Sequence, residues 1–349
     1  MKTVTVNATR EYDVIIDDGI LDNAGLIVKE KFGINKICII TDDTVNGLYG
    51  DRAVNGFKNQ GFFVEKIVIP HGEQSKNTDN LIEIIRELAK MHFTRNDMLV
   101  ALGGGVVGDL CGFCAATYMR GIRFIQMPTT LLAAVDSSVG GKCAVDLPEG
   151  KNLFGAFWQP SLVLCDTDTL KTLTKEIYAD GCAEIIKYGM IYDKNLFDTV
   201  KTGDFDEIDV IARCVEIKRD IVNKDEFDTG IRQILNFGHT FGHGIEILSN
   251  FKVTHGMGVS IGMAIITNAL KKSGSVDENL YNELVNALKN NNLPTSYSCL
   301  PEQLFEKVIG DKKRVGEYIN VILVKEIGKT EICKMELDKV KELIRIGMN

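Results

Sequence analysis

The sequence predicts an α/β protein with two domains: a Rossmann-like domain with a mostly parallel sheet, followed by an all-helical domain. The first half of the chain alternates short β-branched runs with helical patterns, which is typical of βαβ units around a parallel sheet. From about residue 171 onward helical patterns predominate. Because 349 residues are enough for two buried cores, we place the domains at residues 1–168 and 169–349.

Each element follows from a local pattern. Runs rich in β-branched and aromatic residues predict seven strands, the first two as a hairpin, over residues 3–7, 13–17, 36–41, 63–70, 98–102, 124–128 and 162–166. Helical periodicity predicts helices over residues 206–224, 232–248, 257–272 and 277–289, with a closing helix over 336–346. One late β-like run covers residues 318–324.

The composition excludes some classes of function. A net charge of −8 argues against nucleic-acid binding, which needs a concentrated positive surface. No apolar run reaches the roughly 18 residues that cross a bilayer, and the N-terminus lacks the apolar core of a signal peptide. Nine cysteines, an odd number, favour reduced thiols, so we expect a cytoplasmic protein. The one Cys-x-x-Cys pair, Cys111 and Cys114, has no second pair, and we expect no metal or redox role for it.

Several basic residues lie in glycine-rich, turn-like contexts within this acidic chain. Most lysines are solvated surface residues, but a subset that converges on one site would select a small anionic ligand, such as a phosphorylated or carboxylated sugar. These basic residues are Arg120, Lys142, Lys151, Lys187, Lys218, Arg232, Lys312 and Lys313.

A glycine-rich loop follows the predicted strand 98–102. Residues 103–109 read Gly-Gly-Gly-Val-Val-Gly-Asp and lead into a helix, so that the backbone and the helix N-terminus could approach a pyrophosphate. The loop is not in the first βα unit, and no acidic residue follows about 20 positions later to hold a ribose. Dinucleotide binding of a variant kind and a simple tight turn therefore both stay open. The turn at Gly140, Gly141 and Lys142 lacks the remaining residues of a P-loop, which argues against an NTPase.

Three of the five histidines fall in one short stretch, at His239, His243 and His255. The first two are four residues apart and share one face of a helix, and the third precedes the next predicted helix. The pattern is not His-Glu-x-x-His, so any carboxylate ligand must come from elsewhere. These histidines form either a metal site or capped and core-satisfied positions; glycines at 238, 242 and 244 favour a close approach to the backbone there.

Taken together and in order, several motifs closely resemble the 3-dehydroquinate synthase family over nearly the whole chain. They are Gly-Glu-Gln-Ser-Lys (72–76), Gly-Gly-Gly-Val-Val-Gly-Asp (103–109), Tyr-Met-Arg-Gly (118–121), Met-Pro-Thr-Thr-Leu-Leu-Ala (127–133), Val-Asp-Ser-Ser-Val-Gly-Gly-Lys (135–142), Gly-Lys-Asn (150–152), Ala-Glu-Ile-Ile-Lys-Tyr-Gly (183–189) and Asn-Phe-Gly-His-Thr-Phe-Gly-His (236–243).

The resemblance implies a nucleotide-binding α/β domain beside a helical domain that binds metal and substrate, usually in a homodimer. It implies zinc, or cobalt, bound by Glu184, His239 and His255. The residues that it assigns to NAD are Asp42, His71, Gly72, Glu73, Gln74, Ser75, Lys76, Gly105, Val106, Val107, Gly108, Asp109, Thr129, Thr130, Lys142, Lys151, Thr169, Leu170, Lys171 and Thr172.

The activity that the resemblance implies is the second step of the shikimate pathway, which leads to chorismate and the aromatic amino acids. The substrate, 3-deoxy-D-arabino-heptulosonate 7-phosphate, would lose phosphate and close to 3-dehydroquinate, with NAD used transiently and no net redox change. The implied substrate and catalytic residues are Arg120, Asp136, Lys142, Asn152, Lys187, Lys218, Arg232, Asn236, His243 and the turn Asp311, Lys312 and Lys313. Ala134 and Cys143 depart from the family pattern at positions where we expect no chemistry.

Three alternatives stay open at this stage. Another sugar phosphate cyclase, such as 2-deoxy-scyllo-inosose synthase, would use the same cofactors on a substrate without a carboxylate, whereas Arg232 favours a carboxylate-bearing one. A metal-dependent alcohol dehydrogenase of the glycerol dehydrogenase type would accumulate NADH with turnover. A non-catalytic NAD or metal-binding protein is disfavoured by the number of basic residues beside the candidate metal site.

Overall fold

The computed structural model describes residues 1–310, 314, 315 and 318–349. Contacts divide the chain into two compact units. The first unit comprises Met1–Leu173 and Glu207–Phe227, and the second comprises Thr174–Asp206 and Asp228–Asn349. The chain therefore passes from one unit to the other three times. The boundary between the functional domains at residues 168 and 169 stays a prediction. That prediction did not anticipate that residues 207–227 return to the first unit.

Nine strands lie in the first unit: β1 (Lys2–Asn7), β2 (Glu11–Asp17), β3 (Lys36–Asp42), β4 (Phe63–Ile69), β5 (Met98–Gly103), β6 (Arg123–Pro128), β7 (Lys142–Leu147), β8 (Gly150–Phe157) and β9 (Leu162–Asp166). Seven form one sheet in the order β1-β2-β9-β6-β5-β3-β4, in which only β1 and β2 pair antiparallel. This confirms the predicted mostly parallel sheet, and all seven predicted strands belong to it. Strands β7 and β8 form a separate hairpin that was not predicted.

The described residues contain thirteen helices: α1 (Ile20–Phe32), α2 (Asp43–Val45), α3 (Asp51–Lys58), α4 (Thr78–Lys90), α5 (Gly105–Thr117), α6 (Lys175–Ile191), α7 (Lys194–Val200), α8 (Glu207–Val222), α9 (His239–Leu248), α10 (His255–Lys272), α11 (Glu278–Asn290), α12 (Pro301–Gly310) and α13 (Leu337–Met348). None of them has both the length and the apolar character that crossing a membrane requires.

The central strands are covered on both faces, which explains their nearly continuous apolar sequences. One core lies between the sheet and α4, α5 and the β7–β8 hairpin. The other lies between the sheet and α1 and α3. Cys111 and Cys114 are buried in the first of these cores, and burial raises the pKa of both thiols above the usual value. Such thiols are poor nucleophiles and poor metal ligands.

The second unit is mainly helical, but the domain predicted as all-helical also contains a three-stranded antiparallel sheet of β10 (Arg314–Val315), β11 (Tyr318–Glu326) and β12 (Lys329–Glu336), of which only the run 318–324 was predicted. The prediction of one helix over residues 232–248 was wrong in detail. A short helical turn, Ile231–Asn236, is followed by Gly238 with φ 81°, and α9 begins only at His239. A left-handed glycine ends one helical segment and starts the next at a new angle.

Candidate active site

Three helices of the second unit bring one carboxylate and two imidazoles together. Glu184 lies in α6, and His239 and His255 are the first residues of α9 and α10. Glu184 Oε1 is 3.6 Å from His239 Nε2 and 3.5 Å from His255 Nε2. Two donors that each lie roughly 2.1 Å from a tetrahedral zinc ion are roughly 3.4 Å apart. The spacing of these atoms therefore suits a divalent cation of that size.

The hydrogen bonding of this cluster also suits a cation. Glu184 is 0% exposed, and its Oε1 atom has no hydrogen-bond partner among the described residues. A buried carboxylate oxygen without a hydrogen-bond partner destabilises the folded chain unless a bound group interacts with it. The other oxygen, Oε2, accepts a hydrogen bond from Lys187, which is 1% exposed. Oε1 is therefore the atom available to a metal.

Each of the two histidines is oriented through its other ring nitrogen. His239 Nδ1 is 3.2 Å from the Phe237 carbonyl oxygen, and His255 Nδ1 is 3.0 Å from Glu246 Oε1. Because both partners only accept hydrogen bonds, each Nδ1 carries a proton, and each Nε2 is the nitrogen that can bind a metal. Burial lowers the pKa of His255, but the carboxylates of Glu184 and Glu246 raise it to about 10 in the absence of a metal, so a cation that binds there replaces a proton on Nε2.

Close helix packing fixes where α9 and α10 begin. A Cβ atom on Gly262 would lie 2.0 Å from the Gly238 carbonyl oxygen, and one on Gly242 would lie 2.7 Å from the Gly258 carbonyl carbon. Two of the three glycines that the sequence singled out, Gly238 and Gly242, therefore admit the backbone of a neighbouring helix, whereas Gly244 packs against the side chains of Leu304 and Val308. Asp180 in α6 accepts hydrogen bonds from the Thr254 hydroxyl and, at 3.2 Å, from the Met257 amide, and so anchors the start of α10.

His243 lies beside the cluster. It is half-buried one turn after His239, and its ring centroid is 5.5 Å from that of His239 and 5.8 Å from that of His255. With Glu246 and His255 it forms a second group with metal-ligand spacing. In that group the Glu246 carboxylate and His255 Nδ1 are already hydrogen-bonded to each other, so the group that contains Glu184 is the better metal site.

Two more predicted residues of the second unit lie on the turn before α9. Arg232 is 2% exposed and Asn236 is half-buried, both in the turn Ile231–Asn236. A guanidinium offers paired hydrogen-bond donors to a planar anion. Asp311, Lys312 and Lys313 lie outside the described residues.

In the first unit, the residues predicted to bind NAD follow the carboxyl ends of parallel strands. Asp42 ends β3, His71–Lys76 follow β4, Gly105–Asp109 follow β5, Thr129 and Thr130 follow β6, and Thr169–Thr172 follow β9. Strands β3 and β5 are neighbours, while the strands that come next in the chain, β4 and β6, lie on opposite sides of them. The glycine loop thus lies at the topological switch point, where open α/β sheets bind their ligands.

The glycine loop combines a helix N-terminus with close packing. α5 begins at Gly105, and a Cβ atom on Gly104 would lie 3.1 Å from Thr130 Cγ2. One on Gly108 would lie 2.5 Å from Gln126 Oε1. The loop is therefore a tight turn. No side chain of the described residues caps the N-terminus of α5, so its backbone amides can also bind a phosphate. The two possibilities from the sequence are compatible with each other.

A half-buried ionic network connects the β7–β8 hairpin with the segment after β4. Lys76, 5% exposed, lies with its Nζ atom 3.1 Å from Asp109 Oδ2 and donates a hydrogen bond of 2.7 Å to Asn152 Oδ1. Lys151 pairs with Glu73 at 3.3 Å. Burial raises the pKa of Asp109 to about 6, although Lys76 lowers it. The network groups residues predicted for NAD with Asn152, predicted for the substrate.

Three other predicted residues of the first unit occupy different places. Lys218 in α8 donates hydrogen bonds to the backbone and side-chain oxygens of Asp136. Lys142 is the exposed first residue of β7. Arg120 lies between the end of α5 and the start of β6, at the amino edge of the sheet, so the structure does not bring it to the edge that carries the NAD residues. Sequence reasoning missed Asp180 and Glu246.

Comparisons with known proteins agree along the whole chain. The model of the family's N-terminal domain, 3-dehydroquinate synthase N-terminal, matches residues 66–180, and that of its C-terminal domain, 3-dehydroquinate synthase C-terminal, matches residues 181–314. A 3-dehydroquinate synthase of Clostridium acetobutylicum is 43% identical, with 99% of this chain and 100% of that protein covered. One of Enterococcus faecalis is 41% identical, with 99% and 98% covered.

Solved structures share the fold. A 2-deoxy-scyllo-inosose synthase complexed with carbaglucose-6-phosphate, NAD+ and Co2+ has a TM-score of 0.89 at 24% identity, with 99% of each chain covered. A 2-epi-5-epi-valiolone synthase from Streptomyces hygroscopicus subsp. jinggangensis with NAD+ and Zn2+ has a TM-score of 0.88 at 24% identity, with 99% of this chain and 97% of that one covered. From the two matching domains and the similarity to curated relatives, this chain belongs to the 3-dehydroquinate synthase family.

Proposed function

We propose that this chain is a 3-dehydroquinate synthase, a lyase that converts 3-deoxy-D-arabino-heptulosonate 7-phosphate to 3-dehydroquinate and phosphate. Full-length similarity to curated 3-dehydroquinate synthases supports this activity. The structural observation that carries it is the buried Glu184 Oε1, which faces two imidazole nitrogens at the spacing of metal ligands.

The cofactors that we propose are NAD and zinc or cobalt. The solved relatives that bind NAD+ with Co2+ or Zn2+ support this choice, as does the fit of Glu184, His239 and His255 to a tetrahedral cation. When bound, NAD would exchange a hydride with the substrate, and the cation would polarise substrate hydroxyl groups. We assign NAD to the loops at the carboxyl edge of the sheet.

The remaining chemistry falls to side chains of this chain. We assign Lys187, Arg232 and Asn236 in the second unit to the substrate, with Arg232 gripping a planar anion through two parallel hydrogen bonds. In the first unit we assign Asp136, Lys142, Asn152 and Lys218 to it. The substrate set also includes the turn of residues 311–313. His243 would hold or move a proton at a ring nitrogen, because an imidazole titrates near neutral pH.

We also propose a cytoplasmic homodimer. None of the nine cysteines, all of which lie among the described residues, forms a disulfide bond, which fits a reducing compartment. The dimer is what the family resemblance implies, and light scattering during size-exclusion chromatography tests it. A mass of about twice 38.6 kDa is expected, and a monomer at micromolar concentration would contradict it.

The decisive experiment incubates the purified full-length chain with NAD, zinc and the heptulosonate phosphate, and follows free phosphate and NADH together. We expect one phosphate released for each substrate consumed, with no accumulation of NADH. NADH that rises in step with turnover would instead indicate a polyol dehydrogenase. Phosphate release from glucose 6-phosphate, which lacks the carboxylate, would indicate the other kind of cyclase. Glu184→Gln provides the inactive control.

A further inference from the structure

Glu246 is a buried carboxylate beside the candidate metal site, and none of the proposed ligand or substrate assignments uses it. It lies in α9 two turns after His239, so both side chains project from nearly the same face of the helix. Glu246 is 4% exposed, and its Oε1 atom is 3.0 Å from His255 Nδ1. One helix thus carries a metal ligand and also reaches a ligand on the next helix.

The surroundings of Glu246 hold it in place. Its backbone carbonyl accepts hydrogen bonds from the Ser249 hydroxyl at 2.9 Å and from the Phe251 amide at 2.8 Å, and so completes the end of α9. A Cβ atom on Gly258 would lie 3.3 Å from Glu246 Cγ and 3.0 Å from the Gly242 carbonyl oxygen. Gly258 therefore leaves the space that the glutamate side chain occupies.

The contact determines which nitrogen of His255 can bind a metal. A carboxylate only accepts hydrogen bonds, so it selects the tautomer with the proton on Nδ1 and leaves the lone pair on Nε2. That Nε2 atom faces Glu184 Oε1 at 3.5 Å. His239, by contrast, is oriented by the neutral carbonyl of Phe237. The two imidazoles thus have partners of different charge, and a carboxylate partner makes an imidazole the stronger ligand.

We infer that Glu246 is a positioning residue of the metal site: it fixes the ring orientation and tautomer of His255 and thereby sets the affinity for a divalent cation. The inference rests on the proposed function, in which Glu184, His239 and His255 hold the cation. Glu246 itself stays outside the ligand set because its carboxylate is engaged with His255 Nδ1.

The test is the zinc dissociation constant of the purified full-length chain, measured by competition with a chromogenic chelator. Glu246→Ala is expected to weaken zinc binding roughly 10- to 100-fold, the effect usual for the loss of a hydrogen-bond partner of a ligand histidine. Glu246→Gln keeps an acceptor of the same length without the charge, so it should recover part of this loss. Glu302→Ala, an exposed glutamate in α12, is the matched control and should bind zinc as the wild type does.

The visible spectrum of the cobalt-loaded chain provides a second measurement, which would not change if Glu246 only stabilised the fold. The visible absorption bands of the cobalt-loaded chain should shift or weaken in Glu246→Ala and resemble the wild type more closely in Glu246→Gln, because they report the ligand field. Circular dichroism of the zinc-free variants identifies any variant that fails to fold. If Glu246→Ala does not fold, the zinc affinity and the cobalt spectrum of the folded Glu246→Gln variant provide the test. We then expect Glu246→Gln to bind zinc at least several-fold more weakly than the wild type.

The outcomes separate the inference from the proposed function. If the wild type binds no zinc, the proposed metal site fails and the inference fails with it. If the wild type and the folded Glu246 variants bind zinc equally well, only the inference is overturned. If Glu184→Gln binds zinc normally while Glu246→Ala does not, Glu246 is a ligand in the group with His243 and His255, and the positioning role is likewise overturned.

Discussion

One oxygen atom distinguishes the two possibilities that the sequence left open for the histidines. Capped or core-satisfied histidines would have hydrogen-bond partners, and the Nδ1 atoms of His239 and His255 do have them. Their Nε2 atoms, however, converge on the buried Glu184 Oε1, which has no hydrogen-bond partner in the described part of the chain. These contacts therefore orient the nitrogens that we propose to bind the metal.

His243 provides a test of the division between metal ligands and acid–base groups. His243→Ala should keep its zinc, because the three ligand atoms are untouched, and should lose roughly 10² to 10⁴ in kcat, as when a general acid or base is removed. Zinc content and steady-state kinetics measure both effects. His239→Ala is the comparison, since it should lose zinc and activity together. Turnover as fast as in the wild type, or loss of the metal from His243→Ala, would remove the acid–base assignment.

The shifted pKa of Asp109 leads us to expect that the stability of the first unit depends on pH. Burial raises its folded-state pKa from 3.8 to about 6. Between about pH 4 and pH 6 the folded chain keeps a proton that the unfolded chain has released, so the contribution of Asp109 to the free energy of unfolding falls as the pH rises. The ionised carboxylate of half-buried Asp109 therefore contributes less to stability at pH 7.5 than its protonated form does at pH 4.

Asp109→Asn removes this charge with little change of shape. In the absence of NAD, the variant should melt at a higher temperature than the wild type at pH 7.5, and the difference should disappear near pH 4. Asp51→Asn changes an exposed carboxylate of the same unit and should shift the melting temperature little at either pH. A variant that is less stable than the wild type at pH 7.5 would mean that the ion pair with Lys76 outweighs the cost of burial.

At the scale of elements, the contact between α9 and α10 explains why glycines lie at helical positions of the site, although glycine destabilises helices. Gly238 and Gly242 face Gly258 and Gly262 across the contact, where added Cβ atoms would collide with backbone. The first residues of both helices are proposed ligands, so the same contact determines the distance between His239 and Glu184 and that between His255 and Glu184.

Gly262→Ala tests this contact. Its Cβ atom would lie 2.0 Å from the Gly238 carbonyl oxygen, so α9 and α10 must move apart. We expect a loss of about 1–3 kcal/mol in stability, the usual cost of overpacking, together with weaker zinc binding. Thermal melting and chelator competition measure the two effects. Gly47→Ala, where a Cβ atom would meet nothing within 4 Å, is the control. Equal melting temperatures for the wild type and Gly262→Ala would contradict the packing argument.

The sequence predicted these elements to different degrees, for physical reasons. Strands buried on both faces leave continuous apolar runs, so all seven strands of the large sheet were found. The helix predicted over residues 232–248 was interrupted because periodicity does not report the left-handed backbone of Gly238. The histidines were found from their spacing, whereas Glu184 came only from the family resemblance, since nothing local marks a carboxylate that a distant helix contributes. Glu246, three residues after His243, could have been found from helical spacing.

At the scale of the whole molecule, α8 shows what local patterns cannot predict. The helix itself was predicted, but its membership in the first unit was not. It contacts β1 and β2, whose alternation places Val4 and Val14 on one buried face. Pairing of Lys2 with Asp209 joins β1 to α8 through a charged contact, and pairing of Lys218 with Asp136 joins α8 to the segment after β6. Contacts this distant in sequence leave no trace in a local window.

The first unit should consequently fail to fold without α8. A fragment of residues 1–173 would expose the apolar face that α8 contacts, and each large apolar side chain left in water costs roughly 1.5–3 kcal/mol, a large share of the stability of a domain. We expect this fragment to aggregate or to melt without cooperativity. The same fragment joined through a flexible glycine–serine linker to residues 207–227 should melt cooperatively and bind NAD. If residues 1–173 alone gave the same cooperative melting, α8 would be an accessory helix, and the first unit would be an ordinary continuous domain.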